Sequence, residues 1–297
     1  MENEEREILV KAGKIAKEVV EYAKTIIKKD MKLLEIANKI EEKIIHLKAH
    51  PAFPVNLSIN EIAAHSTPSY NDETIAHGLL KVDIGIHIDG NIADTALSID
   101  LDNSQENKNL IKAAEEARDN ALKKFAMNIK IREIGAEIED TCKKHNVQPI
   151  RNLSGHSIDQ YLLHSGLTIP NFDNSQEIEI PSGVYAVEPF TTLLSGSGAV
   201  KEGKPSGIYR MEKEGNVRDS FAREVLHFIE ENYKTLPFCS RWIYKKFGTR
   251  GLLALRQIES SGLLHHYGQL IEKSGAKVAQ AEHTVLVTEK EKIITTA

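Results

Sequence analysis

The stretch KVDIGIHIDGNIADTALSID (Lys81 to Asp100) limits what this chain can fold into more than any other. Two apolar, strand-like runs flank Asp89-Gly90, a dipeptide preferred at the centre of a two-residue β-hairpin turn. They nevertheless carry Asp83 and Asp94, where carboxylates are costly to bury. Centring the turn on Asp89-Gly90 predicts that Ile88 faces Asn91, Gly85 faces Asp94 and Asp83 faces Ala96. Because side chains alternate, Asp83, Gly85 and His87 share a face with Asp94 and Ala96, while Val82, Ile84, Ile86 and Ile88 point the other way. The two carboxylates become diagonal neighbours, about 7 Å apart at the backbone. From there they could hold a pair of divalent cations about 3.5 to 4 Å apart, with Gly85 leaving room between them. A solvated polar face would accommodate the same two acids, so other residues must decide.

Two further acids sit in similar settings. Glu188 lies in VYAVEPF, before a proline that keeps it extended, and Glu282 lies in VAQAEHTVLV. Buried acids are normally paired, and strand lysines and arginines near these four are too few, so the set calls for a cation. His156, in NLSGHSI, offers a nitrogen ligand. One imidazole with four carboxylates is an oxygen-rich donor set suited to Mn, Fe or Co and tolerant of Zn, unlike the cysteine or three-histidine shells of structural and mononuclear zinc. It suggests a dinuclear hydrolase.

At 297 residues with 41% hydrophobic content, the chain can build a sizeable core. A net charge of −5 with interspersed signs excludes the overall basic field of a nucleic-acid binder. Two cysteines, Cys142 and Cys239, exclude a disulfide framework and fit a reducing, cytoplasmic setting. The charged N-terminus has neither the apolar core of a signal peptide nor the length of a membrane span.

Ile8, Ala12, Ile15, Val19, Tyr22 and Ile26 predict one face of a long amphipathic helix, followed by a second over about 33–46. From Asn103 the pattern restarts with two more helices, in NSQENKNLIKAAEEARDNALKKFA and IREIGAEIEDTCKKHN, and ends in extended segments around GVYAVEPFTT and AKVAQAEHTVLVTEKEKIITT. Helix, helix, strands thus occurs twice, which predicts an α+β fold of two packed units. Between the last strand regions, GSGAVKEGKPSG reads as a flexible connection leading into helices such as SFAREVLHFIEENY, a small helical subdomain inserted into the second unit. RWIYKKF mixes bases and aromatics, but so short a patch on an acidic chain reads as a packed helix before an RNA contact. His87 reads as structural and His283, which alternates away from Glu282, as no ligand.

At this point the chain resembles the methionine aminopeptidases of the pita-bread metallopeptidase fold. The resemblance rests on AFPVNLSINEIAAHSTP, KVDIGIHIDGNIADTA, NLSGHSI, YLLHSG, YAVEPF and AEHTVLV, in the family's order along nearly the whole chain. It implies a single pita-bread domain over 1–297, with pseudo-two-fold duplicated helix-helix-strand units around a curved antiparallel sheet. The long interval between Glu188 and Glu282 is similar to the insertion of type II enzymes, here 200–268 and winged-helix-like, and the short N-terminus is similar to archaeal members. Two divalent ions (Co, Mn, Fe, Zn or Ni) are implied, with Asp83 chelating one, Asp94 and Glu282 bridging, and His156 and Glu188 completing the other. The implied reaction is removal of the initiator methionine, with a small second residue preferred. Glu188 would shuttle the proton, His65 in AAHSTP and His164 in YLLHSG would donate to the scissile carbonyl, Phe53 and Phe190 would wall the methionine pocket, and Tyr267 would border its entrance. The implied partners are N-terminal methionyl peptides of nascent chains with a transient ribosome contact, no membrane and no specific nucleic acid, for a chain acting as a monomer. Two alternatives stay open: a non-catalytic pita-bread binding protein and a proline-directed aminopeptidase of the same fold.

Overall fold

Each half of the chain begins with a helical hairpin and continues as antiparallel strands; the computed structural model describes residues 3–297. The first half runs α1 (Asn3–Ile26), α2 (Leu33–His46), β1 (His50–Pro51), β2 (Asn56–Ile59), β3 (Ile62–Ala64), β4 (Leu79–Ile88) and β5 (Asn91–Asp100). The second runs α3 (Gln105–Lys124), α4 (Ile131–Lys144), β6 (Val147–Pro149), β7 (Ser154–Ile158), β8 (Thr168–Pro170), β9 (Gly183–Val187) and β10 (Phe190–Leu193). Then come β11 (Val200–Met211), α5 (Ser220–Tyr233), β12 (Phe238–Cys239), α6 (Ser240–Ser260) and β13 (Leu264–Glu272), and the chain closes with β14 (Val278–Gln280), β15 (His283–Val287) and β16 (Lys292–Ile294). Among the described residues, every strand pair is antiparallel. No described helix is long and apolar enough to cross a membrane.

The α1–α2 pair covers the β2–β4–β5 sheet, and the core between them takes Val82, Ile84 and Ile86 from the outward face of the hairpin. The α3–α4 pair covers the second half in the same way, with Leu110, Ile134 and Ile138 meeting Tyr185 and Val285. The buried face of α1 departs from the expected stripe. It is Leu9, Ala12, Gly13, Ala16, Val19 and Ala23, whereas Ile8, Ile15, Tyr22 and Ile26 lie along its flank, partly covered. Small residues let the helix lie close: a Cβ added at Gly13 would meet the Thr295 carbonyl oxygen at 2.1 Å.

The two halves are laced where β5 meets β14 and β15. Asp94 N donates to Thr284 Oγ1 (2.8 Å), which in turn donates to the Asp94 carbonyl (2.8 Å). Thr95 Oγ1 donates to the Glu282 carbonyl (3.0 Å), Glu282 N to the Ala96 carbonyl (3.0 Å), and Ser98 Oγ and Gln280 exchange two bonds of 2.8 Å. This seam fixes Asp94 beside Glu282 although nearly the whole second half separates them in sequence.

The run read as a flexible connection is, from Val200 onward, strand β11, which pairs with β13 along its length. Register shifts on either side of Pro205, and a positive φ of 75° at Gly207, let the ladder absorb residues that ordinarily end strands. The segment is therefore mixed rather than helical, with a core of its own around Tyr209, Val225, Ile229, Phe238, Ile243 and Ile258. RWIYKKF packs, as expected. Arg241 is buried and forms a two-pronged pair with Glu41 of α2 (2.7 and 2.8 Å), and Trp242 Nε1 donates to the same carboxylate (2.8 Å). Removing one partner of such a pair leaves a buried charge uncompensated, which costs about 3 to 5 kcal/mol. Glu41→Gln is therefore expected to lower stability by about 3 kcal/mol in denaturant unfolding; an unchanged midpoint would show that this pair does not anchor the segment.

Candidate active site and metal centre

The hairpin register is the expected one: Asp83 opposes Ala96, Gly85 opposes Asp94 and Ile88 opposes Asn91. Asp89 (φ 49°) and Gly90 (φ 83°) both take the left-handed conformation that a tight hairpin turn of this twist requires. His87 supports the turn. Its Nδ1 accepts from Gly90 N (3.2 Å), and its ring stacks on His50 at 5.5 Å, consistent with a structural role. Gly85 leaves space, as expected, but the space is taken: the ring of Phe53 lies where a Cβ would be, 2.2 Å from its ideal position. The glycine thus brings an aromatic wall against the strand between the two aspartates.

One cavity collects the residues singled out above. Asp83, Asp94, His156, Glu188 and Glu282 line it, together with His65, His164, Phe53, Phe190 and Tyr267. Asp94, His156 and Glu282 each present a ligand atom within 4.8 Å of the others, and all three are buried. His156 Nε2 is 3.5 Å from Glu188 Oε1 and 3.7 Å from Asp94 Oδ2. A larger cleft of about 440 Å³ opens beside α1 and β9, but its lining holds no histidine, so size does not locate the chemistry.

Strand geometry delivers these groups. Asp83 and Asp94 come from the hairpin, His156 from β7 opposite Ala186 of β9, Glu188 from the bend between β9 and β10, and Glu282 from the step between β14 and β15. His283, one residue on, turns away and hydrogen-bonds Thr296 Oγ1 (2.8 Å), which fits its exclusion as a ligand.

The electrostatics are lopsided. Burial raises the Asp83 carboxyl to about 7. Burial first, and then the charge of Asp83, push Asp94 well above the ordinary carboxylate range; burial and the neighbouring acids do the same to Glu188 and Glu282. Among the described residues, none of the four pairs with a lysine or arginine. Buried Lys81 shares their strand face, yet its ammonium donates to the Asn60 carbonyl at 2.6 Å. Asp83 Oδ1 and Asp94 Oδ1 are buried without a hydrogen-bond partner. Orphaned carboxylate oxygens beside an uncharged imidazole are the donor set a hard or borderline divalent cation needs, and the residues fit such a group.

The histidines are neutral at pH 7. Burial lowers His65 to about 4 and His156 to about 3, and lowers His164 as well. His164 stands edge-on to His156 (centroids 4.3 Å), and His65 to Tyr267 (5.1 Å). His65 also has φ 57°, a left-handed conformation uncommon for a side chain of this kind and often found where function demands it.

Several lining residues had gone unread: Asn56, Ile208, Pro237 and Leu270. Gln280 had too, and it reaches both Glu188 (3.5 Å) and Glu282 (3.4 Å). The signal for Gln280 was its place two residues before Glu282, on a strand already read as carrying a ligand.

Compared with known proteins, the chain matches the description metallopeptidase family M24 over residues 7–289. A methionine aminopeptidase of Pyrococcus abyssi is 46% identical over 295 residues, covering 97% of this chain and 98% of the relative. Among solved structures, a thermophilic Arx1 superposes with a TM-score of 0.85 at 15% identity, covering 99% of this chain and 91% of the other. Methionine aminopeptidase from Rickettsia prowazekii gives 0.72 at 19%, covering 100% and 98%. The last two establish the fold, and the family match across almost every residue establishes that this chain belongs to metallopeptidase family M24.

Proposed function

We infer that this chain removes the N-terminal methionine from peptides as a metal-dependent aminopeptidase. The reading is carried by full-length similarity to relatives named methionine aminopeptidase, 46% identical in one case, together with the cluster of Asp94, His156 and Glu282 in a cavity that also holds two phenylalanines.

Asp83, Asp94, His156, Glu188 and Glu282 would hold the cations. Fully ionised, four carboxylates and a neutral imidazole carry four negative charges, which two divalent ions balance; with one ion, protons on the raised carboxyls must supply the rest. The oxygen-rich set suits Mn, Fe or Co and tolerates Zn or Ni. Divalent cations at such a site make water a nucleophile near neutral pH and polarise the carbonyl it attacks. The remaining work falls to the chain. His65 and His164, kept uncharged by burial, can each donate an N–H to the carbonyl oxygen as it gains charge, a contribution worth about 2.7 to 4 kcal/mol per donor in comparable sites. Glu188 can hold the proton that the departing amine needs. Phe53 and Phe190, both buried, offer ring contacts to a thioether. Tyr267 borders the entrance.

Support for a type II insertion at 200–268 is the separate core and the long β11–β13 ladder of that segment. A preference for a small second residue, nascent chains met in the cytoplasm beside the ribosome, and action as a monomer complete the reading.

Metal-loaded protein is expected to release methionine from Met-Ala-Ser and to spare Met-Leu-Ser. Cleavage of X-Pro substrates instead would indicate a proline-directed enzyme, and no turnover with any divalent metal a binding protein. His164→Ala should lower kcat about 100-fold with little change in KM, measured under saturating metal; an unaltered kcat would remove His164 from the chemistry.

Asp94→Asn separates site from scaffold. Metal-free, it should unfold no more easily than the parent, since burial and Asp83 already disfavour a carboxylate there and the amide is never charged; with Mn or Co added, the parent's midpoint should rise while the variant's rises far less, and turnover should vanish. Equal metal-induced shifts in both proteins would refute Asp94 as a ligand.

A further inference from the structure

β11 carries one more inward-facing side chain past the cavity. Tyr209 and Met211 pack into the core of the inserted segment, so Ile208 and Arg210 face the other way, and Ile208 lines the cavity. Across the ladder Arg210 pairs with His265 of β13, and His265 shares that face with Tyr267, their rings 4.7 Å apart. Tyr267 itself lines the cavity, and the charge of Arg210 works against the upward push that burial gives its hydroxyl. The charge of Arg210 also reaches His164: after burial it is the next influence holding that imidazole uncharged. Arg210 therefore places a permanent positive charge at the edge of the site.

That charge is loosely held. Arg210 Nη2 pairs with Glu212 at 2.8 Å, but the two side chains are 38% and 47% exposed, and water-exposed pairs of this kind are weak enough to exchange partners. On the reading above, Phe53 and Phe190 take the first side chain of a bound peptide and Tyr267 borders the entrance, which sets the downstream part of the peptide beside Arg210.

We propose that Arg210 is a specificity-determining residue that receives a carboxylate from the peptide downstream of the scissile bond. The carboxylate is either an acidic side chain near the third residue or the free C-terminus of a short peptide. The proposal rests on the aminopeptidase reading above.

The test compares kcat/KM for Met-Ala-Asp-Leu-amide against Met-Ala-Lys-Leu-amide, and for Met-Ala-Ser as free acid against its amide, in metal-loaded parent, Arg210→Met, Arg210→Lys and Glu212→Gln. The parent should favour the carboxylate-bearing member about three- to fivefold, mostly through KM and less at high salt, as suits an exposed charge pair. A preference in the first comparison assigns the side chain as the source, and one in the second the terminus. Arg210→Met should abolish it, Arg210→Lys keep part of it, and Glu212→Gln enlarge it by removing the resident competitor. Lys213→Met, an exposed neighbour, should leave it unchanged. Equal rates in both comparisons, or a preference that survives Arg210→Met, would overturn the role of Arg210 alone. Failure of the parent to release methionine from every peptide would instead defeat the aminopeptidase reading beneath it.

Discussion

Four carboxylates around one neutral imidazole, Asp94 and Glu282 buried and Asp83 and Glu188 largely so, with no lysine or arginine set against them among the described residues, are the feature on which the rest of the structure depends. Desolvation and mutual repulsion each raise the free energy of the charged forms, and a protein can tolerate this only if protons or cations supply the missing charge. A fold that needed mere stability would place apolar side chains there. Holding acids in this way is costly, and the cost makes sense where metal chemistry is the return.

The architecture explains how the acids are brought together. Each half contributes a strand pair beneath its own helical hairpin, and the two halves meet along β5, β14 and β15. The threonine and serine bonds across this seam hold Asp94 and Glu282 in adjacent positions, while β7 and β9 carry His156 and bring Glu188 toward them. No local segment could do this. The helices α1 to α4 supply the apolar backing that keeps the strands rigid, and the segment from β11 to β13 adds an outer wall, with Ile208 and Tyr267 facing inward.

Much of this was legible in the sequence because strand alternation is a hard constraint. A two-residue turn at Asp89-Gly90 leaves one register for the hairpin, so the facing of Asp83, Asp94 and Gly85 follows from the sequence, and it agrees with the pairing in the structure. Likewise His283 could be set aside by counting from Glu282. What could not be read depends on packing between distant segments. The ring of Phe53 in the space beside Gly85 requires β1 and β2 to be wrapped around β4. The contact face of α1 is set by small residues, whose burial reflects close approach and not hydrophobicity, so an isoleucine-based stripe lands on its flank. β11 contains Gly203, Pro205 and Gly207, which locally argue against a strand, and its partners β13 and β12 supply the hydrogen bonds that make it one. Gln280 is a polar residue that its own segment does not mark, because the acids it reaches, Glu188 and Glu282, are gathered only by the fold.

The account is tested most directly by anomalous scattering from crystals of the chain loaded with manganese or cobalt. It predicts two adjacent peaks enclosed by Asp83, Asp94, His156, Glu188 and Glu282. Peaks elsewhere on the molecule, or none at this cluster despite saturating metal, would contradict it.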